Sequence, residues 1–142
     1  MRELRLPSGD GSDARIYLLH GAPNIGLGRR LHAALEQYFQ GIPQDFGDIP
    51  LDYGPATPFR RSVWDTARTV AWGVTSSYGD LARRMGKGLS SARAIGAALG
   101  ANPLPILVPC HRFIAADGSL AGFAAGLDWK RELLRLEGAL WC

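Results

Sequence analysis

Five residues, Val108-Pro109-Cys110-His111-Arg112, entered from Asn102-Pro103-Leu104-Pro105-Ile106-Leu107, restrict the fold of this chain more than any others. Each proline fixes its own φ and biases the residue before it toward extended backbone. Residues 102–109 are therefore expected to run extended, stiff and buried, delivering Cys110 to a defined point. A free cysteine has a pKa of about 8.5 and carries little thiolate at neutral pH, so a nucleophilic thiol needs a neighbouring base or cation. Two readings stand at this point. Cys110 is a buried structural cysteine beside a hydrogen-bonded histidine, or it is an activated thiol with His111 as its base.

The chain has 142 residues, enough for one compact domain with a small appendage, and its 46% apolar content can supply a core. No apolar run is long enough to span a membrane. The start, Met1-Arg2-Glu3-Leu4-Arg5-Leu6, lacks a signal peptide's apolar centre, so a cytoplasmic protein with reduced thiols is expected. Cys110 and Cys142 form no metal-ligand spacing, and neither a metal nor a cofactor is expected.

The net charge of +3 is unevenly spread. Residues 1–55 carry five basic and seven acidic side chains, and residues 56–142 carry eleven and six. Between 78 and 112, Arg83, Arg84, Lys87, Arg93 and Arg112 are set against Asp80 alone. A basic patch beside a candidate nucleophile suits a polyanionic substrate, and equally suits an ordinary solvated face.

Along the chain, residues 1–14 read as turn chemistry and 15–19 as a short strand. Leu27, Leu31, Leu35 and Tyr38 or Phe39 recur at helical spacing over 26–40, and Gly41 ends that helix. The Gly/Pro/Asp-rich stretch 41–56 marks a boundary between an N-terminal unit, 1–55, and a C-terminal domain, 56–142. Thr57-Pro58 opens a second helix with an apolar stripe of Phe59, Val63, Ala67 and Val70. Ser77-Tyr78-Gly79-Asp80 opens a third, running to about Met85. After the turn Gly86-Lys87-Gly88, Ser90 or Ser91 caps a fourth, from Ala92 to about Gly100. Two short helices across a glycine turn read as helix-turn-helix.

That fourth helix, with Ala94, Gly96, Ala97 and Gly100 after Arg93, is made almost wholly of small residues. Such a surface lets a helix enter a narrow groove, and it also serves tight helix packing. Asp117-Gly118 reads as a hairpin turn, 122–126 as a small-residue loop, and Asp128 as the cap of a last helix, 129–137. Glu137 falls on the buried face with Leu133 and Leu134, where a carboxylate needs a partner, and a histidine is a natural one.

Together these pieces resemble the O6-alkylguanine-DNA alkyltransferases (methylated-DNA–protein-cysteine methyltransferases). The resemblance rests on Thr57-Pro58-Phe59, Val63-Trp64, Ser77-Tyr78, Leu81-Ala82, Ala92-Arg93-Ala94-Ile95-Gly96, Asn102-Pro103, Pro109-Cys110-His111-Arg112, Gly118, Leu120, Gly122, Gly126, Lys130, Leu133-Leu134 and Glu137-Gly138. It implies an α/β (α+β) fold: a mainly helical C-terminal domain with a helix-turn-helix and a Pro-Cys-His-Arg active-site strand, plus a reduced N-terminal α/β domain.

The resemblance also implies roles. Cys110 accepts the alkyl group, and His111 takes its proton through a water. Glu137 orients His111, and Asn102 ties the helix-turn-helix to the active-site strand. Tyr78 supports the flipped nucleotide and gives a proton toward the guanine. Arg93 fills the gap in the stack, with Ala94, Ala97 and Arg112 on the DNA-binding side. The carbonyls of Cys110 and Phe113 and the N–H of Ala124 read the base, beside Phe123.

The implied partner is double-stranded DNA containing O6-alkylguanine, bound by a monomer through the minor groove. The implied reaction is one irreversible transfer per molecule.

Phe123 stands where the family commonly has Tyr, followed by Ala124-Ala125, and one extra residue lies between Tyr78 and Arg93. A non-catalytic recogniser of alkylated DNA, in which the family's acceptor cysteine is replaced, is the alternative within the same fold. A Cys-His hydrolase would need an oxyanion hole as well. A purely structural helix-turn-helix protein would not need Cys110, His111 and Glu137.

Overall fold

The computed structural model describes residues 25–120 and 126–139, without the side chains of Ile25 and Leu27. The expected strand at 15–19, Phe123, Ala124 and Cys142 lie outside the described residues. Within them the fold is α+β and mainly helical, with one small sheet.

Helix α1 (Ile25–Phe39) buries Leu31, Leu35 and Tyr38 at spacings of four and three, and Gly41 at φ +79 ends it as expected. Helix α2 (Pro58–Ala67) starts where the sequence places it. Thr57 Oγ1 accepts from the Arg60 N–H at 3.2 Å, and Pro58 takes the first turn, where its missing N–H costs nothing. Val63, Trp64 and Ala67 face inward, and Trp64 Nε1 donates to the Ala98 carbonyl at 2.7 Å, tying α2 to the helix that carries Ala98. Arg68, just past the helix, donates to the carbonyls of Phe46 and Ile49 and clasps the preceding connection.

Ser77 caps helix α3 (Tyr78–Arg84) through a bond from the Asp80 N–H at 3.0 Å. Helix α4 (Ala92–Gly100) begins differently from expectation. Ser91 takes the cap position but its side chain makes no capping bond, and a 3₁₀ turn over Leu89–Ser91 feeds straight into the helix. Ile95, Ala98 and Leu99 are buried, while Arg93, Ala94, Ala97 and Gly100 are exposed along the other side.

Within residues 102–109, Leu104 and 106–109 are buried as expected and Asn102, Pro103 and Pro105 are half-buried, but the segment is not extended. Asn102 closes them into a turn: its Oδ1 accepts from the Leu104 N–H at 2.9 Å and its Nδ2 donates to the Val108 carbonyl at 3.0 Å. The Val108 N–H returns to the Leu104 carbonyl at 2.9 Å. Ile106 sits at φ +74, a costly conformation for a β-branched residue, which the closed turn and the burial of Leu104, Ile106, Leu107 and Val108 sustain.

The Pro-Cys-His-Arg strand is likewise corrected. Pro109, at φ −80 and ψ 59, forms an inverse γ-turn in which the Cys110 N–H donates to the Val108 carbonyl at 2.8 Å. Cys110–Arg112 then make one 3₁₀ turn. A proline φ suits turns as well as strands, and here the local hydrogen bonds decide. Only β2 (Phe113–Ile114) is strand, paired parallel with β1 (Ser76–Ser77) in the register Ser76↔Phe113. The Asp117-Gly118 turn forms, with Gly118 at φ +84.

Helix α5 (Leu127–Leu136) starts two residues earlier than Asp128 capping requires. Gly126, at φ +102, is the cap position, and Asp128 lies in the first turn. Glu137 ends the helix and Gly138, at φ +72, reverses the chain. One continuous core joins α1, the 46–53 connection, α2, α3, α4, the 104–108 turn, Phe113 and α5. Each of its fully buried aliphatic side chains contributes roughly 1.5–3 kcal/mol. This core carries Cys110, His111 and Glu137 at its centre.

Candidate active site and nucleic-acid interface

The Asn102 turn aims a donor at the thiol. The same Nδ2 that bonds Val108 lies 3.2 Å from Cys110 Sγ. Cys110 is 7% exposed, and burial pushes its thiol up to about 11, against the pull of Asn102 and the Lys130 charge.

Behind the thiol, the 3₁₀ turn points His111 into the core, where it is fully buried. Its Nε2 lies 2.7 Å from Glu137 Oε1. A carboxylate accepts, so Nε2 carries the proton and Nδ1 is the free lone pair. Nδ1 has no hydrogen-bond partner among the described residues. Burial lowers the His111 pKa, against the opposing pull of Glu137, so the ring is a neutral acceptor.

Glu137 is held from three sides. Arg112 Nε donates to Oε2 and Arg112 Nη2 to Oε1, each at 2.9 Å. The Tyr38 hydroxyl donates to Oε1 at 2.7 Å. Burial pushes the carboxyl up, but the bonds from His111 and Arg112 outweigh it and hold it at about 2.

The structure therefore brings Cys110, His111, Glu137 and Asn102 together. Tyr78, at the start of α3, joins them: burial raises its phenol, and the Cys110 charge adds to the rise. Its ring also lies against Gly96 of α4, where an added Cβ would meet it at 3.8 Å. Phe113 is buried, and its carbonyl accepts from the Lys130 ammonium.

Arg112 is a correction. Expected on the DNA-binding side, it is 6% exposed, and beyond its Glu137 fork Nη1 donates to the Val70 carbonyl at 2.5 Å. Three of its five N–H donors are committed in this way, and the buried group presents little surface to a phosphate. Arg93, Ala94 and Ala97 do share an exposed face of α4. Arg83 pairs with Asp80, and Lys87 lies 5.7 Å over the Phe59 ring.

Tyr38 and Lys130 are additions. Tyr38 reads in the sequence as one more apolar position of α1; the available signal is that a buried tyrosine hydroxyl requires an acceptor. Lys130, fully buried, is marked by its fourth place after Gly126, on the inward face with Leu133 and Leu134. Among the described residues, no group of three or more His, Cys, Asp or Glu side chains is arranged to hold a metal ion. No described helix is long and apolar enough to cross a membrane.

Residues 58–139 match the family described as 6-O-methylguanine DNA methyltransferase, DNA binding domain. A methylated-DNA–protein-cysteine methyltransferase of Haemophilus influenzae is 38% identical, over 83% of this chain and 65% of that protein. One of Methanopyrus kandleri is 43% identical, over 84% and 90%. A DNA base-flipping protein of Thermus thermophilus is 47% identical, over 80% and 76%. The crystal structure of Mycobacterium tuberculosis OGT in complex with DNA superposes with a TM-score of 0.70 at 41% identity, covering 77% of this chain and 65% of that one. The chain thus spans just under two thirds of the Haemophilus and Mycobacterium proteins.

Proposed function

The chain belongs to the 6-O-methylguanine DNA methyltransferase family, and from that premise we propose that it repairs DNA by direct reversal, moving a methyl or small alkyl group from O6 of guanine to Cys110. The observation that carries this reading is the His111 ring beside Cys110, with Nε2 committed to Glu137 and Nδ1 unpartnered.

In the proposed reaction the base leaves the duplex and enters the site beside Cys110. The Cys110 proton passes through a water to His111 Nδ1, and the resulting imidazolium is stabilised by the Glu137 carboxylate. The thiolate attacks the alkyl carbon; the S–C bond forms, the C–O6 bond breaks, and its electron pair stays on the guanine. Tyr78 donates a proton to the departing base. The product is a thioether that no group at the site hydrolyses, so each molecule acts once. Asn102 Nδ2 stabilises the developing thiolate.

The α3–α4 pair serves as a helix-turn-helix whose α4 face, Ala94 and Ala97 beside Arg93, enters the minor groove. Arg93 fills the stack. Phe123 and Ala124, with the carbonyls of Cys110 and Phe113, hold the base. The DNA-binding domain is 56–142, following a reduced N-terminal unit over 1–55, and the protein works as a cytoplasmic monomer.

The test is the intact mass after incubation with a duplex containing one O6-methylguanine, followed by peptide mapping. One methyl on the Cys110 peptide, saturating at one per protein and absent in Cys110→Ala, is expected. Tight lesion-dependent binding without any mass gain would instead favour non-catalytic recognition of alkylated DNA. The Thermus relative's name raises that second reading, and Cys110 with its hydrogen-bonded partners weighs against it.

A further inference from the structure

We propose that Tyr38 is a positioning residue for this transfer: its hydroxyl, delivered from α1, fixes the Glu137 carboxylate so that His111 keeps its proton on Nε2 and presents Nδ1 to the Cys110 side. The inference rests on the alkyl-acceptor reading of Cys110 and assigns part of the machinery to a helix outside the matched stretch 58–139.

The geometry is specific. Tyr38 is fully buried, and its hydroxyl reaches the same carboxylate oxygen as His111 Nε2, each at 2.7 Å from Oε1. The hydroxyl and Nε2 are themselves 3.4 Å apart. The Arg112 fork fixes the carboxylate plane, and Tyr38 and His111 approach Oε1 as two further donors. Burial and the Glu137 charge keep the phenol protonated, so it stays a donor.

The ring has its own packing role. It lies edge-on to Trp72 and Phe39, at 5.1 and 5.4 Å between centroids, and tilted against Phe46 at 6.0 Å. A phenylalanine keeps all of that. A core tyrosine needs only some acceptor, and a peptide carbonyl would serve; here the acceptor is the carboxylate that sets the imidazole.

The charged and titratable groups around the imidazole are Glu137 at the end of α5, Lys130 within α5, Arg112 and Cys110 on its own segment, and Tyr38 from α1. Tyr38→Phe removes one donor from Glu137 and leaves the others. The carboxylate charge is then less delocalised and attracts imidazolium more strongly, so the His111 pKa rises. If neutral His111 is the base, the acid limb of the transfer rate moves to higher pH.

The experiment compares parent and Tyr38→Phe by single-turnover methyl transfer from pH 5 to 9. It adds ¹⁵N spectra of the His111 ring without DNA and thermal unfolding. The expected result is an acid limb raised by about half a pH unit, a rate near its inflection lowered roughly threefold, and a His111 titration moved in the same direction. The unfolding midpoint stays close to the parent's. An unchanged profile and unchanged ring spectrum, with the parent transferring normally, would overturn the inference. A parent that transfers no methyl overturns the alkyl-transfer reading instead, and the ring spectrum alone then decides whether the Tyr38 hydroxyl sets the imidazole.

Discussion

Arg112 and Glu137 form a buried two-point pair, Nε to Oε2 and Nη2 to Oε1, both at 2.9 Å, while the same guanidinium reaches back to the Val70 carbonyl. This places a charged residue of the Pro-Cys-His-Arg run within the buried scaffold. Arg112→Lys removes the planar fork and leaves Glu137 or Val70 short of a donor. It should cost about 2 kcal/mol in denaturant unfolding. The salt dependence of binding to undamaged duplex should stay as in the parent, because no phosphate contact is lost. A shallower salt slope would return Arg112 to the DNA interface.

Acid should unfold the protein through the same cluster. The Glu137 pKa of about 2 lies below its unfolded value of about 4.3. Its contribution is therefore present above the unfolded value and is lost as pH falls toward 2. His111 is also depressed, so the folded state resists protonating it, and stability begins to fall once pH drops below its unfolded value of about 6.5. Unfolding free energies by urea at pH 7, 5 and 3 should fall at each step. The Glu137 part is on the order of 3 kcal/mol and should be missing from the pH dependence of Glu137→Gln. A flat profile between pH 7 and 3 would contradict the buried network.

What the sequence made readable follows from where each signal is local. Thr57 and Ser77 cap their helices, and Gly41 and Gly138 end theirs, because caps and left-handed stops are decided within one turn of chain. The pairing of Glu137 with His111 followed from a carboxylate on a buried helix face. The 102–109 segment was misread because proline fixes φ and leaves ψ to its neighbours. There the Asn102 side chain decides, by bonding both Leu104 and Val108. Arg112 was misread for a related reason. Its charge is visible in the sequence, but its partner is 25 residues away and its second acceptor 42. Tyr38 is the extreme case, with 99 residues between phenol and carboxylate and no local pattern linking them.

Asn102 joins three groups through one amide, and its variants separate folding from chemistry. Asn102→Ala strands the Leu104 N–H, leaves the Val108 carbonyl with its bond from Cys110 alone, and removes the donor to Sγ. Each unsatisfied buried group costs about 1–3 kcal/mol. Asn102→Asp keeps the acceptor for Leu104 but sets a carboxylate against Sγ, which disfavours the thiolate further. Single-turnover transfer at saturating lesion duplex should therefore fall at least about tenfold in Asn102→Asp, one pKa unit or more of added thiolate cost. It should fall more than that variant's loss of stability alone explains. Equal rates in Asn102→Asp and the parent would remove Asn102 from the chemistry.

The exposed face of α4 yields a prediction with a built-in discriminator. Arg93, Ala94 and Ala97 share that face, and Ile95, Ala98 and Leu99 anchor the helix from beneath. Ala97→Glu sets a carboxylate on the surface without disturbing the core, and glutamate is a good helix former, so stability should hold while duplex affinity falls. Arg93→Ala should weaken lesion capture in paired DNA more than in single strands, since only a duplex has a stack to fill. The slope of log K against log salt should barely change, because a side chain in the stack releases few counterions. If Arg93 instead contacts a phosphate, Arg93→Ala lowers that slope by about 1 and weakens both substrates alike. Binding isotherms for the two DNAs at three salt concentrations decide between the finger and the phosphate contact.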